Sequence, residues 1–352
     1  MRQIAVAIAA AIAALLLLAL TGSAFGHAPG ELLGTLLRGS LGSRFACEGT
    51  LLKSIPLLLT GLSVAVAFRA GVWNIGGEGQ FLAGALAAFL VARSVAIGPI
   101  AIVLALAVSM IAGAAWASIA SLLRLWRNSP EVLTTILLNF IAIHLLGYAV
   151  NGPLQEASGK YPQSEAVPAA ASLPALGGTE LHAGLLIALA VCGACWFLLY
   201  RTSEGLRLRA TGFNPFAARY AGINTGAQIF RAMAISGAIS GLAGGIELLG
   251  VTHRLFERFA SGYGYSGIAV ALLAQLHPLA TLASAFFFGA LVTGAGELQR
   301  SAGISSTVAV FGQAIVILAL ILFGAIEKRM ARKTPRRPAA GEPASVPSEA
   351  VP

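Results

Sequence analysis

The sequence predicts an all-α bundle of about ten membrane-spanning helices, some of them broken, and three observations predict it. Hydrophobic residues make up 57% of the 352-residue chain and charged residues 11%, with a mean hydropathy of +0.82; soluble domains carry roughly 25% charge. Apolar runs close to the about 20 residues that a helix needs to cross a bilayer recur from end to end, which favours helices over barrel strands. Two of these runs are interrupted by stretches rich in glycine and polar residues.

The first run, residues 4–20, follows Arg2 and precedes the small residues from Ser23 to Gly26. A cleaved signal peptide fits this pattern, but the length of the run and the polytopic remainder favour a retained first helix within residues 1–26. Residues 27–50 then form an extracytoplasmic segment. Further spans are expected at 51–68, 80–92, 97–123, 131–150, 183–200, 228–250, 266–276, 279–295 and 305–326, so that 51–326 forms the transmembrane domain. The runs 80–92 and 266–276 are too short to cross about 30 Å of hydrocarbon at about 1.5 Å per residue. Each is expected to continue through the polar, glycine-rich segment before it, as a broken helix.

Placing the N-terminus inside puts Arg2, Arg69, Arg124, Arg127, Arg201, Arg207, Arg209, Arg219, Arg231 and the tail EKRMARKTPRR in the cytoplasm, giving 15 of the 23 Lys and Arg there. The positive-inside rule prefers this orientation, which places both termini in the cytoplasm and 151–182 outside. Residues 327–352 read as a basic and then disordered tail. The net charge of +9 therefore sets topology and does not indicate nucleic acid.

Several chemistries have no residues to support them. All 14 acidic residues are glutamate, so aspartate-dependent metal or phosphoryl chemistry is unavailable. No phosphate-binding loop of the GxxxxGK[ST] type occurs, so the chain binds no ATP, and its energy must come from a partner or an ion gradient. Cys47, Cys192 and Cys195 lack metal spacing. No catalytic or metal-binding residue is assigned.

The stretch FRAGVWNIGGEGQF, residues 68–81, sets polar side chains and four glycines between two apolar helices. Irregular backbone is tolerated at membrane depth only inside protein or beside a wet cavity. Asn74 can cap the new helix, Glu78 suits its positive end, and Asn74, Glu78 and Gln80 are candidate pathway residues. Arg69 reads as an inside-facing charge. The stretch RFASGYGYSGIAVALLAQL, residues 258–276, has the same grammar and offers Tyr263 and Tyr265. The helix before the first break runs inward and the helix before the second runs outward, as an inverted repeat would show. Close packing through glycine accounts for the same residues equally well. Glu247, late in an outward-running helix, is a further pathway candidate.

Residues 201–225 form the longest polar stretch on the inside. Asn214 is placed as a cap and Pro215 at the first helical position, with alanines offering a small flat docking face. An intramembrane enzyme has no motif to support it, whereas an ion-coupled secondary transporter stays open as an alternative.

The motifs AFRAGVWNIGGEGQFLAG, NSPEVLTTILLNFIA, GLRLRATGFNPFAARYAGI and GYGYSGIAVALLAQLHPLATLASAFFFGAL occur in that order between about residues 50 and 325. Together they resemble the permease subunits of bacterial ABC importers for simple sugars and nucleosides, the branch related to ribose and branched-chain amino-acid permeases. The resemblance implies a cytoplasmic-membrane (inner-membrane) subunit that passes a small polar solute. It also implies a second homologous permease, two cytoplasmic ATPase domains that hydrolyse the ATP, and an extracytoplasmic binding protein. Glu204, Gly205, Gly212, Asn214, Pro215, Ala218 and Arg219 match the family's ATPase-coupling region. His277 stands where the family commonly has asparagine, and Gly77 where it has alanine.

Overall fold

The computed structural model describes residues 28–95 and 98–302, with four further positions at 311, 314, 315 and 318. The expected spans at 4–20 and 305–326 and the tail 327–352 lie outside the continuously described residues.

Among the described residues the chain is helical with no strand, apart from turns, an irregular segment over 152–183 that carries a 3-10 turn, Ala169–Ala171, and isolated bridges. In chain order the helices are α1 Pro29–Leu41, α2 Arg44–Arg69, α3 Gly77–Ser94, α4 Gly98–Arg127, α5 Glu131–Asn151, α6 Gly184–Arg201, α7 Ser203–Phe213, α8 Pro215–Tyr220, α9 Thr225–Glu247, α10 Tyr263–Leu273 and α11 Pro278–Ala302. A π turn, Leu248–Thr252, extends α9. Six of these elements are long and apolar enough to cross a membrane, namely α2, α4, α5, α6, α9 with its π turn, and α11. The chain is a multi-pass membrane protein.

Helix α1 falls within residues 27–50, where apolar-run length alone does not pick it out. Pro29 occupies its first turn, and Ser43 then caps α2 by accepting from the Ala46 amide at 3.1 Å. α2 and α9 form the centre and are largely buried, whereas α4, α5 and α6 keep most of their surface outward. α3, α4 and α9 cross closely at Gly84, Gly113, Gly237 and Gly241, where a Cβ on any of them would meet opposing backbone. Buried side chains cannot come that close, so small residues set the spacing.

The two short runs resolve differently. The second half of the first polar stretch, GEGQ, is the opening turn of α3, whose 18 residues reach about 27 Å. The break is confined to residues 70–76. α10 has 11 residues, about 16 Å, which is half a bilayer core. It lies beside α2 and runs in the same direction: Lys53 meets Tyr263, Gly61 faces Val270, and Arg69 reaches Gln275 and Leu276.

Candidate functional site at two facing helix breaks

α3 begins inside the bundle, where its first amides have no intrahelical partner. Its N-cap position is Gly76, whose own atoms offer no cap. Asn74, expected as the cap, sits two residues earlier and is fully buried. Its Oδ1 accepts from Gly76 N at 2.9 Å and from Gln80 Nε2 at 2.9 Å, and its Nδ2 donates to Gln80 Oε1 at 3.0 Å and to Ser236 Oγ at 2.8 Å. The inner capping group comes from another helix: Asn139 of α5 accepts from Gly79 N at 2.8 Å. It also donates to Ile75 O at 2.9 Å and to the Tyr265 hydroxyl at 3.2 Å. Asn139 therefore touches both breaks.

The start of α10 lies against the start of α3. Gly262 turns the chain with φ 83°, a conformation cheap only for glycine. Glu78 Oε1 accepts from Gly262 N at 2.9 Å and Oε2 from Gly264 N at 2.8 Å. The carboxylate on the first turn of α3 thus neutralises the positive end of α10. A Cβ at Gly264 would meet the Glu78 backbone, so the approach requires glycine.

Aromatic rings cover this junction, with Phe81 5.8 Å from Phe259 and 5.9 Å from Tyr263. Lys53 Nζ donates to the Tyr263 hydroxyl at 3.1 Å. Glu247, 4% exposed, lies within Coulombic reach of Lys53 and Tyr263. A cavity of about 610 Å³ between α1, α2 and α11 reaches Lys53 and is also lined by Arg38, Glu297 and Arg300. The structure thus brings together Asn74, Glu78, Gln80, Tyr263 and Tyr265, and Glu247 adjoins them. Sequence reasoning passed over Lys53 and Asn139, although each is a polar residue inside an apolar run and carries that signal.

Arg69 is more than an inside-facing charge. Its guanidinium donates to Gln275 O at 3.0 Å and Leu276 O at 3.1 Å, at the far end of α10.

The polar elbow α7–α8 follows from two caps. Thr202 Oγ1 accepts from Gly205 N at 3.0 Å, and Asn214 Oδ1 accepts from Phe216 N and Ala217 N, both at 3.0 Å, with Pro215 at the first helical position. Glu204 ties α7 to α9 by accepting from Gln228 at 3.2 Å and Arg231 at 2.8 Å, with Arg207 at 2.7 Å. The Gln228 hydrogen bond, aided by the two arginines, holds this carboxyl below the usual carboxylate range. Arg219 reaches Thr225 Oγ1 at 3.5 Å. Of the expected alanine face, Ala217 and Ala221 are exposed, and aromatic rings stand out beside them. Ala218 is buried, while Phe213 is 94%, Phe216 76% and Tyr220 95% exposed. Phe216 and Tyr220, four residues apart, share the exposed face of α8, and Phe213 ends α7 beside them.

The elbow touches the first break directly. Gly212 packs on Gly71, and a Cβ there would meet Arg69 O, Gly71 N and the Ala70 carbonyl carbon. A second contact runs through rings, with the Arg209 guanidinium 5.0 Å from the Tyr200 centroid and Tyr200 5.2 Å from His277. Burial, and then the neighbouring Arg69 charge, lowers the His277 imidazole below its ordinary range.

Irregular polar backbone at membrane depth is tolerated only where it is buried in protein or lines a wet cavity, and broken helices of this kind are a feature of membrane transporters. The chain belongs to the family described as branched-chain amino acid transport system / permease component, whose model matches residues 46–326. It is 34% identical to the glucose ABC transporter permease protein TsgB13 of Haloferax volcanii, over 83% of this chain and 80% of that one. It is 36% identical to the guanosine ABC transporter permease protein NupP of Bacillus subtilis, over 80% and 83%. Over 92% of both chains it is 31% identical to the nucleoside ABC transporter permease protein NupB of Lactococcus lactis. No solved structure matches the chain. It is a permease subunit of an ABC transporter.

Proposed function

We propose that this subunit forms the pathway of an ATP-driven importer for nucleosides or simple sugars in the cytoplasmic membrane, with both termini and the elbow α7–α8 in the cytoplasm. It pairs with a second, homologous permease, receives solute from an extracytoplasmic binding protein, and is driven by two ATPase domains that hydrolyse the ATP. The names of the relatives support the substrate class, since two are nucleoside or guanosine permeases and one is a glucose permease. Bacillus subtilis has two guanosine permease relatives of this chain, NupP and NupQ, which supports a paired permease. The 15 cations placed inside by this orientation support the sidedness.

One observation carries the mechanical part of this reading. The elbow offers bare aromatic rings to a partner on one side and packs its Gly212 backbone against the first break on the other. An ATPase gripping Phe213, Phe216 and Tyr220 would therefore push directly on the segment that carries Asn74, Glu78 and Gln80. The solute needs only a polar lumen formed in passing; selection belongs to the binding protein. Uptake of radiolabelled nucleosides and sugars by a strain deleted for this gene, with and without complementation, tests the reading. So does ligand binding by the neighbouring binding protein. Unchanged uptake of every nucleoside and sugar in the deletion strain would reject it.

A further inference from the structure

Both ends of α10 are held by one short segment of chain. Its amino end gives the Gly262 and Gly264 amides to the Glu78 carboxylate, and its carboxyl end gives the Gln275 and Leu276 carbonyls to the Arg69 guanidinium. Glu78 and Arg69 flank the first break. The signs match the helix dipole, with the anion at the positive end and the cation at the negative end. The helix is also bounded by left-handed backbone on both sides: Ser261 at φ 48° and Gly262 at 83° before it, and Gln275 at 52° and Leu276 at 60° after it. Such positions can absorb a change of direction while the rod between them stays rigid.

The clasp is connected to the elbow. Gly212 of α7 lies against the Arg69–Gly71 backbone, and Arg209 of α7 reaches the turn after α10 through Tyr200 and His277. We propose that α10 is the moving gate of the pathway and that Arg69 is the positioning residue that passes elbow displacement to it. Glu78 holds the other end, so the half-helix travels with the first break as one body. This inference rests on the importer reading above. It adds which element moves and which side chain moves it.

The test uses the complete complex in proteoliposomes, with Cys47→Ser removing the partly exposed native thiol and Leu272→Cys placing a reporter on α10. Thiol labelling is followed without nucleotide and with trapped ATP, and uptake is divided by ATP hydrolysed. With Arg69 present, the labelling rate changes with nucleotide. Arg69→Ala keeps ATP hydrolysis but abolishes that change and lowers solute moved per ATP by about tenfold, within the range for positions on a coupling network. Arg69→Lys, which keeps the charge but loses the two-pronged contact, recovers part of both. A residue that only stabilised the fold would lower hydrolysis, labelling and uptake together. If Arg69→Ala does not assemble, Arg69→Lys and Glu78→Gln carry the comparison, each loosening one end of the clasp. Nucleotide-dependent labelling and solute per ATP within about twofold of wild type in these variants would overturn the inference. Failure of the wild-type complex to move solute on ATP would instead count against the importer reading, so the two failures are distinguishable.

Discussion

Replacing Asn139 with alanine removes three hydrogen bonds from one fully buried side chain. The Gly79 amide loses its acceptor at 2.8 Å, the Ile75 carbonyl loses its donor at 2.9 Å, and the Tyr265 hydroxyl loses a contact at 3.2 Å. Gly79 lies in the first turn of α3, so its amide has no intrahelical carbonyl to turn to. The buried Gly79 amide left unpaired costs about 1–3 kcal/mol, and the partly buried Ile75 carbonyl, which water can reach, adds less. Unfolding of the purified subunit by SDS titration in mixed micelles reads this directly. Asn151→Ala serves as the control, because Asn151 is exposed and bonds only along its own helix, and its shift should stay within about 0.5 kcal/mol. A loss below about 1 kcal/mol for Asn139→Ala would refute the claim that α5 supplies the cap of α3.

Three further outcomes are expected. Gly212→Ala forces a Cβ into the backbone of Arg69 and Gly71; overpacking costs about 1–3 kcal/mol, and uptake should fall more than ATP hydrolysis in the reconstituted complex. Asn214→Ala removes the cap of α8 at a cost of about 1 kcal/mol, so affinity for the ATPase should drop in a binding assay while binding to the partner permease stays level. His182 is buried, and burial, then the charge of His253, pushes its pKa down to about 4. The unfolded chain protonates near 6.5 and the folded chain does not, so stability is lost as pH falls from 6.5 towards 4. The loss is about 2 kcal/mol at about pH 5, measured as a drop in unfolding midpoint that His182→Gln should flatten.

How much of this was legible follows from where each signal lies. Lipid demands long apolar helices, so α2, α4, α5, α6, α9 and α11 stand out in the hydropathy of the sequence. The breaks are legible as well, because glycine clustered with polar residues inside an apolar run marks backbone that leaves the helix at membrane depth. Their partners are not. Glu78 looks like a residue for its own helix end, yet it serves amides 184 and 186 positions away, and Arg69 serves carbonyls 206 and 207 positions away. A local pattern holds no trace of such pairs. Asn139 and Lys53 were legible as polar residues in apolar helices, but a single polar residue does not say what it faces. The elbow shows the limit of helical periodicity over six residues: its caps are readable from Asn214 and Pro215, while its aromatic outer face depends on how α7 and α9 anchor it.

The central claim is that this subunit holds no fuel and is moved through its elbow by a nucleotide-hydrolysing neighbour. Its most direct test is solute accumulation in proteoliposomes holding the subunit with its permease partner, ATPases and binding protein, against the subunit alone under a sodium or proton gradient. The account predicts accumulation that requires ATP and the ATPases and is absent with the subunit alone. Accumulation by the lone subunit on an ion gradient would contradict it.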